Sequence, residues 1–126
     1  MDTAILVDEL DRSAVRLVNA LNSKGFAFTV AALMKNEDTE DWSIVLGIPE
    51  LRIKGSRGSY AEIYNTIKEN NLSLSLNDIK LLDDKDITLL LLKSRFDPSQ
   101  EMSRIVFAGN YINGVRFPDS IIYQIR

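Results

Sequence analysis

Two apolar runs, Phe26-Ala-Phe-Thr-Val-Ala-Ala-Leu-Met34 and Trp42-Ser-Ile-Val-Leu-Gly-Ile48, decide how this chain is read. In each, the side chains alternate at the period of two that a β-strand imposes. The first run places Phe26, Phe28, Val30, Ala32 and Met34 on one side and Ala27, Thr29, Ala31 and Leu33 on the other. The second sets Trp42, Ile44, Leu46 and Ile48 against Ser43, Val45 and Gly47. The polar residues 36–40 between them predict an antiparallel hairpin. Both faces of the first run are rather apolar.

Upstream, Leu6, Leu10, Ala14, Leu17, Val18 and Leu21 recur at steps of three and four, with Asp8, Asp11, Arg12, Arg16 and Asn19 mostly between them. This predicts an amphipathic helix over residues 3–24, capped by Asp2 or Thr3 and ended by Gly25. Downstream, Pro49 stops the second strand. Ser59 and Glu62 have the spacing of a capping box for a helix carrying Tyr60, Ile63, Tyr64 and Ile67 out to residues 70–71. A strand is expected around residues 78–82. Residues 87–96 are read as a helix that Asp83 and Asp84 would cap, because leucine favours helix and acids suit a first turn. Asp97-Pro98-Ser99 should break the chain there. Residues 104–108 read as a strand, and Asn113-Gly114 is the strongest hairpin signal in the sequence. Residues 115–117 and 121–125 return along that strand, with a bend at Pro118-Asp119. Ile121, Tyr123 and Ile125 would form one face of the last strand.

The expected architecture is a single α+β domain over residues 1–126, in the order α-β-β-α-β-α-β-β. Its sheet is mainly antiparallel with about five strands, and its helices lie chiefly on one face. The 126 residues, 45% hydrophobic and 26% charged, have the proportions of an ordinary globular domain. A chain of this length buries roughly two-thirds of its unfolded surface, so it requires no disulfide or metal staple.

The composition removes several classes of chemistry. Cysteine and histidine are absent, which excludes thiol nucleophiles, Ser-His-Asp triads and the standard zinc sites. No cofactor or metal site and no catalytic residue is assigned, and a non-enzymatic role is favoured. Eighteen acidic against fifteen basic residues give a net charge of -3, opposite to the usual footprint of a nucleic-acid binder. Leu89-Leu-Leu-Leu92 is far short of the roughly 20 apolar residues of a membrane span. The start shows neither a secretory signal nor a transit peptide, and the expected location is the cytoplasm.

Four groups of residues are candidates for function. Arg52-Ile-Lys54-Gly-Ser-Arg57-Gly-Ser59 sets three cations and two glycines before a helix start. Arg52, Lys54, Arg57 and Ser59 could there bind a small anionic, phosphate-bearing ligand, although helix capping and turn geometry account for the same residues. The stretch matches neither a Walker A loop nor a dinucleotide fingerprint. Glu50-Leu-Arg-Ile-Lys54 sets its lysine four residues after the acid, whereas metal-dependent nucleases use Asp/Glu-x-Lys on one strand, so the spacing disagrees with that reading. The acids Glu37, Asp38, Glu40 and Asp41 form a loop that could steer a basic target, as in an inhibitor or immunity-type protein, or could simply be solvated. Asp83, Asp84 and Asp86 are explained by helix capping. Finally, Leu33, Val45, Leu89 and Leu92 are expected to contribute to an uncovered apolar patch that binds a partner.

The ending, Gly109-Asn-Tyr-Ile-Asn-Gly-Val115 followed by an aromatic strand, resembles that of short bacterial α/β proteins with no assigned activity. The resemblance implies a bacterial α/β domain and no mechanism. The expectation that emerges is a non-catalytic protein–protein interaction module or accessory subunit, homo-oligomeric and most simply a homodimer. A sensor or enzyme taking an anionic ligand at residues 52–59 is the alternative.

Overall fold

A computed structural model describes residues 3–96, 104–109 and 111–126. Asp2 as a cap, and the break at Asp97-Pro98-Ser99, lie outside the described residues. The elements are α1 (Thr3–Ser23), β1 (Val30–Lys35), β2 (Trp42–Ile48), α2 (Leu51–Lys54), α3 (Arg57–Glu69), β3 (Ile79–Asp83), α4 (Ile87–Arg95), β4 (Ile105–Phe107), β5 (Tyr111–Ile112), β6 (Val115–Arg116) and β7 (Ser120–Ile125). Five strands form one sheet in the order β3-β2-β1-β7-β4, and β5 and β6 form a separate ribbon. Among the described residues only the β2–β3 pair is parallel. The α+β class, the mainly antiparallel sheet and the helical reading of residues 87–95 are as the sequence predicts. Among the described residues no helix is long and apolar enough to cross a membrane.

β1 lies at the centre, and its first five residues are buried. Ala31 and Leu33 face α1 and α3, together with Ile44, Leu46, Ile48, Ile121 and Tyr123. Val30, Ala32 and Met34 face the other way, against α4 and the aromatic residues Phe107 and Phe117. The two longest helices therefore share one face, while α4 and the β5–β6 ribbon cover the second.

The alternation of the first apolar run needs correction at its start. Phe28 packs on the α1 side, opposite to Val30, Ala32 and Met34. The chain bends at Thr29 before the ladder begins, so residue parity does not carry across it. A second correction concerns the last strand. Ala31 pairs with Gln124 but Ala32 pairs with Ile122, which makes Tyr123 the extra residue of a bulge. Ile121 and Tyr123 share the α1 face, and Ile125 is turned to the α4 face.

Helix boundaries follow from local hydrogen bonds. Gly25, at φ 72°, ends α1 in a Schellman motif, with Phe26 N–H donating to Leu21 O at 3.0 Å and Gly25 N–H to Asn22 O at 3.1 Å. The expected Ser59–Glu62 capping box does not form. α3 begins earlier, after Ser56, so Ser59 already lies inside the first turn. Asp83 and Asp84 do not cap α4 either: Asp86 does, accepting Thr88 N–H at 2.9 Å. A capping box that pattern reading missed joins Ser75 and Asp78, at the short 3-10 turn leading into β3. Asn113 and Gly114 both have positive φ, at 52° and 78°, the type I′ geometry expected for that pair.

At Gly47 a side chain of α4 packs directly on the backbone of the sheet. A Cβ at this position would lie 2.7 Å from Leu89 Cδ1 and 2.9 Å from Thr29 Oγ1, whereas one at Gly58 would meet nothing within 4 Å. Gly47→Val should lower the urea midpoint by an amount equivalent to about 1–3 kcal/mol. Gly58→Ala should raise it, by up to about 0.5–1 kcal/mol. An unchanged midpoint for Gly47→Val would contradict the packing of α4 over β2.

Candidate functional site

Three places concentrate polar chemistry or exposed apolar surface. The first is a crevice at the carboxyl ends of the parallel strands β2 and β3, which α3 connects as a crossover. Open α/β sheets commonly hold ligands in this position. The crevice encloses about 480 Å³, between Leu51, Arg52 and Ser56 on one side and Leu81, Asp83 and Asp86 on the other, with Tyr60 in its wall. Asp83 fixes its geometry. One carboxylate oxygen accepts Arg52 N–H at 2.8 Å and the other accepts Lys85 N–H at 2.9 Å, while Arg52 Nε lies 3.6 Å away. These backbone donors, Arg52 first and then Lys85, hold the Asp83 carboxyl below its ordinary range.

Of the residues predicted to bind an anion, Arg52 alone lines this crevice. Lys54 is exposed and paired with Glu50 at 3.1 Å, Arg57 is exposed at the start of α3, and Ser59 is half-buried on that helix. The four side chains therefore do not converge on one point. Ser56, the N-cap of α3, makes no side-chain capping bond, so no serine hydroxyl occupies that helix start.

The second place was not found from sequence. Asp11 on α1 accepts Arg104 Nε–H at 3.2 and 2.9 Å on its two oxygens, and Arg104 Nη2 lies 2.7 Å from Oδ2. Tyr123, the bulge residue, donates its hydroxyl to the same carboxylate at 2.7 Å. Burial pushes the Asp11 pKa up, but the hydrogen bonds from Arg104 and Tyr123, with the guanidinium charge, outweigh it and leave the value lowered. Tyr123 is raised well above its ordinary value, by burial first and then by its bond to the carboxylate. A tyrosine held neutral is a poor base or nucleophile. All three groups are satisfied by one another, and the arrangement ties α1 to β7 and to the chain entering β4. The signal was present in the sequence: Asp11 falls within the stripe of Val7, Ala14 and Val18, where a carboxylate needs a partner.

The third place is the outer layer over α4 and the β5–β6 ribbon. The predicted patch residues are not on it. Leu89 and Leu92 are fully buried against Val45, and Leu33 is buried on the opposite face beneath α1 and α3. Val45, Leu89 and Leu92 are core because α4 itself covers the face expected to be open, and Leu33 because it lies under α1 and α3. On this layer the exposed apolar side chains are instead Ile87 (67% exposed) and Leu90 (45%) on α4, and Tyr111 (64%) and Val115 (52%) on the ribbon; Ile53, Tyr64 and Val106 are exposed singly on α2, α3 and β4. Sequence periodicity could not choose which leucines faced inward, because residues 89–92 are all leucine.

The acidic loop Glu37, Asp38, Glu40 and Asp41 is exposed, as a solvated turn would be. It is organised by Asn36, whose Oδ1 accepts Asp38 N–H at 2.9 Å and Thr39 N–H at 3.2 Å. Glu37 also meets Arg116 of the ribbon at 3.5 Å. Among the described residues no group of three or more potential ligands is placed to hold a metal ion.

Compared with known proteins, the chain matches no family model, no curated sequence and no solved structure. Any functional reading therefore rests on the residues themselves.

The Asp11–Arg104–Tyr123 network has a pH signature. The stability contributed by Asp11, whose pKa is lowered by folding, is present above the unfolded value of about 3.9 and is lost as pH falls through the folded value. That contributed by Tyr123, whose pKa is raised, is present below about 10 and is lost as pH rises beyond it. Tyr123→Phe should cost about 1.5–3 kcal/mol at pH 7 and should lose less stability than wild type between pH 7 and pH 10.5. Urea midpoints at both pH values check this, and equal losses would show that the hydroxyl does not bond Asp11.

Proposed function

We propose that this chain is a non-catalytic protein–protein interaction module whose contact layer is the outer surface of α4 and the β5–β6 ribbon. The observation that carries the reading is the exposure of Ile87, Leu90, Tyr111 and Val115 on adjoining elements of one layer. The fold needs Leu89 and Leu92 to face inward; it does not need Ile87 and Leu90 to be apolar. Covering an Ile or Leu side chain fully contributes about 1.5–3 kcal/mol, so a partner seated here gains where the monomer does not. Exposed apolar surface framed by charge is the usual composition of a contact site, and Asp84, Lys85, Lys93 and Arg95 frame this one. We place the module in the cytoplasm, and its net charge of -3 argues against nucleic acid as a partner.

Gel filtration of the native protein in cell extract, followed by immunoblot, tests the reading. The wild-type chain should elute well above the position of a 14.2 kDa monomer, and Leu90→Lys should return it to that position with little change in urea midpoint. Elution of the wild type as a monomer would overturn the proposal.

The cavity favours a second reading. Its volume of about 480 Å³ lies within the usual range for small-molecule sites. Arg52 would meet a phosphate or carboxylate, while Asp83 and Asp86 would restrict the ligand to one that also carries hydroxyl or amino donors. A thermal-shift panel of nucleotides and sugar phosphates tests this, since a ligand at 100 times its Kd stabilises by about 2.7 kcal/mol. The stabilisation should disappear in Arg52→Ala; no response, or one indifferent to that change, removes the reading.

A further inference from the structure

We infer that the partner seated on α4 is a second copy of this chain, laid antiparallel so that a two-fold axis passes beside Leu90. The inference rests on the proposal that α4 carries the contact layer. Its ground is the distribution of charge and apolar side chains along one helix. Ile87, Leu90 and Ser94 are exposed and follow one another at steps of three and four, while half-buried Leu91 packs against the inner cluster. At 100° per residue these three fall within about 60° of arc, on the side opposite the buried pair Leu89 and Leu92. The outer stripe is therefore as narrow as the seam of a two-helix contact.

The ends of the stripe differ in sign. Asp84 and Asp86 stand at the start of α4, and Lys93 and Arg95 occupy its last turn. A parallel copy would set acids against acids and bases against bases. Lys93 Nζ lies 3.4 Å from Asp84 O of its own chain, which leaves Arg95 exposed at this end. An antiparallel copy turned about Leu90 brings Asp84 and Asp86 of each chain to Arg95 of the other, and opposes the two helix dipoles favourably. The same turn places Ile87 opposite Ser94 and Leu90 against Leu90. The seam thus alternates large and small side chains about a central leucine pair. α4 spans only about 13 Å, so the contact belongs to the small, weak class of interfaces, and association is measured up to about 200 µM.

The absence of cysteine from the chain makes the geometry directly readable. Purified full-length Ile87→Cys and Ser94→Cys proteins, one carrying a size tag, are mixed and oxidised, and each is also oxidised alone. Antiparallel pairing predicts that the mixed Ile87→Cys/Ser94→Cys disulfide dominates, because residues 87 of the two copies would be about 10 Å apart along the axis. Leu90→Cys should cross-link with itself. Sedimentation equilibrium should show a dimer that weakens as salt rises and is weakened roughly tenfold by Arg95→Glu.

Each failure has its own meaning. A dimer that cross-links 87 to 87 and 94 to 94 overturns the antiparallel arrangement. A purified protein that stays monomeric to 200 µM, while the species in extract remains large and sensitive to Leu90→Lys, overturns the second copy as partner but leaves the contact layer standing. A monomer in extract as well removes the reading on which this inference rests.

Discussion

The constraint on which this structure depends is that β1 has no face left for solvent. Its backbone is paired on both edges, with β2 and with β7, and both of its faces are buried. A strand of this kind is stable only if two separate layers are built over it. α1 and α3 supply one. The chain supplies the other from α4 and the ribbon, both short, and Gly47 allows α4 to approach closely enough to seal it.

That economy explains the character of α4. A nine-residue helix covering much of a sheet face must put leucine inward at 89 and 92, with Leu91 partly packed beside them, and its outer positions 87 and 90 are apolar too. In a solitary monomer the outer positions would cost nothing if they were polar. Their apolar character, with acids at one end of the helix and bases at the other, is what turns a covering element into a candidate contact surface. The edge strand β4 contributes little here, since only three residues of it are laddered to β7.

The opposite face is closed by a polar clamp as well as by packing. The bulge in β7 inserts Tyr123 on the α1 side, where its hydroxyl reaches Asp11 and Arg104 completes the set. The same bulge keeps Gln124 on that face, where its side chain meets Asn22 at 2.8 Å. Arg126 follows, bonding Asn22 and Phe28 O and lying over the Phe28 ring at 4.7 Å. A single inserted residue therefore brings the end of β7 into register with the length of α1. The crevice at the other end of the sheet has a different origin. It exists because β2 and β3 are parallel and their crossover must leave and return on one side, which sets α2 beside the turn after β3.

Much of this could be read in the residues alone. Periodicity located α1, the β1–β2 hairpin, α3 and β3; the absence of histidine and cysteine removed whole reaction classes; and Asn113-Gly114 placed its turn, because that dipeptide tolerates positive φ wherever it stands. These are local properties, and neighbours along the chain determine them. Other features were settled only in three dimensions. Which of four consecutive leucines faced inward depended on where the sheet lay, since every choice satisfied the helix equally. That Ile125 parted from Ile121 and Tyr123 depended on a bulge, which no alternation announces. Arg52 reached the crevice while Lys54, Arg57 and Ser59 did not, because α3 began before Ser59 and turned it into the helix. Asp11 found Arg104 and Tyr123 across separations of 93 and 112 residues. Sequence specifies which groups need partners; only the packing of distant elements against one another decides which partners come within reach.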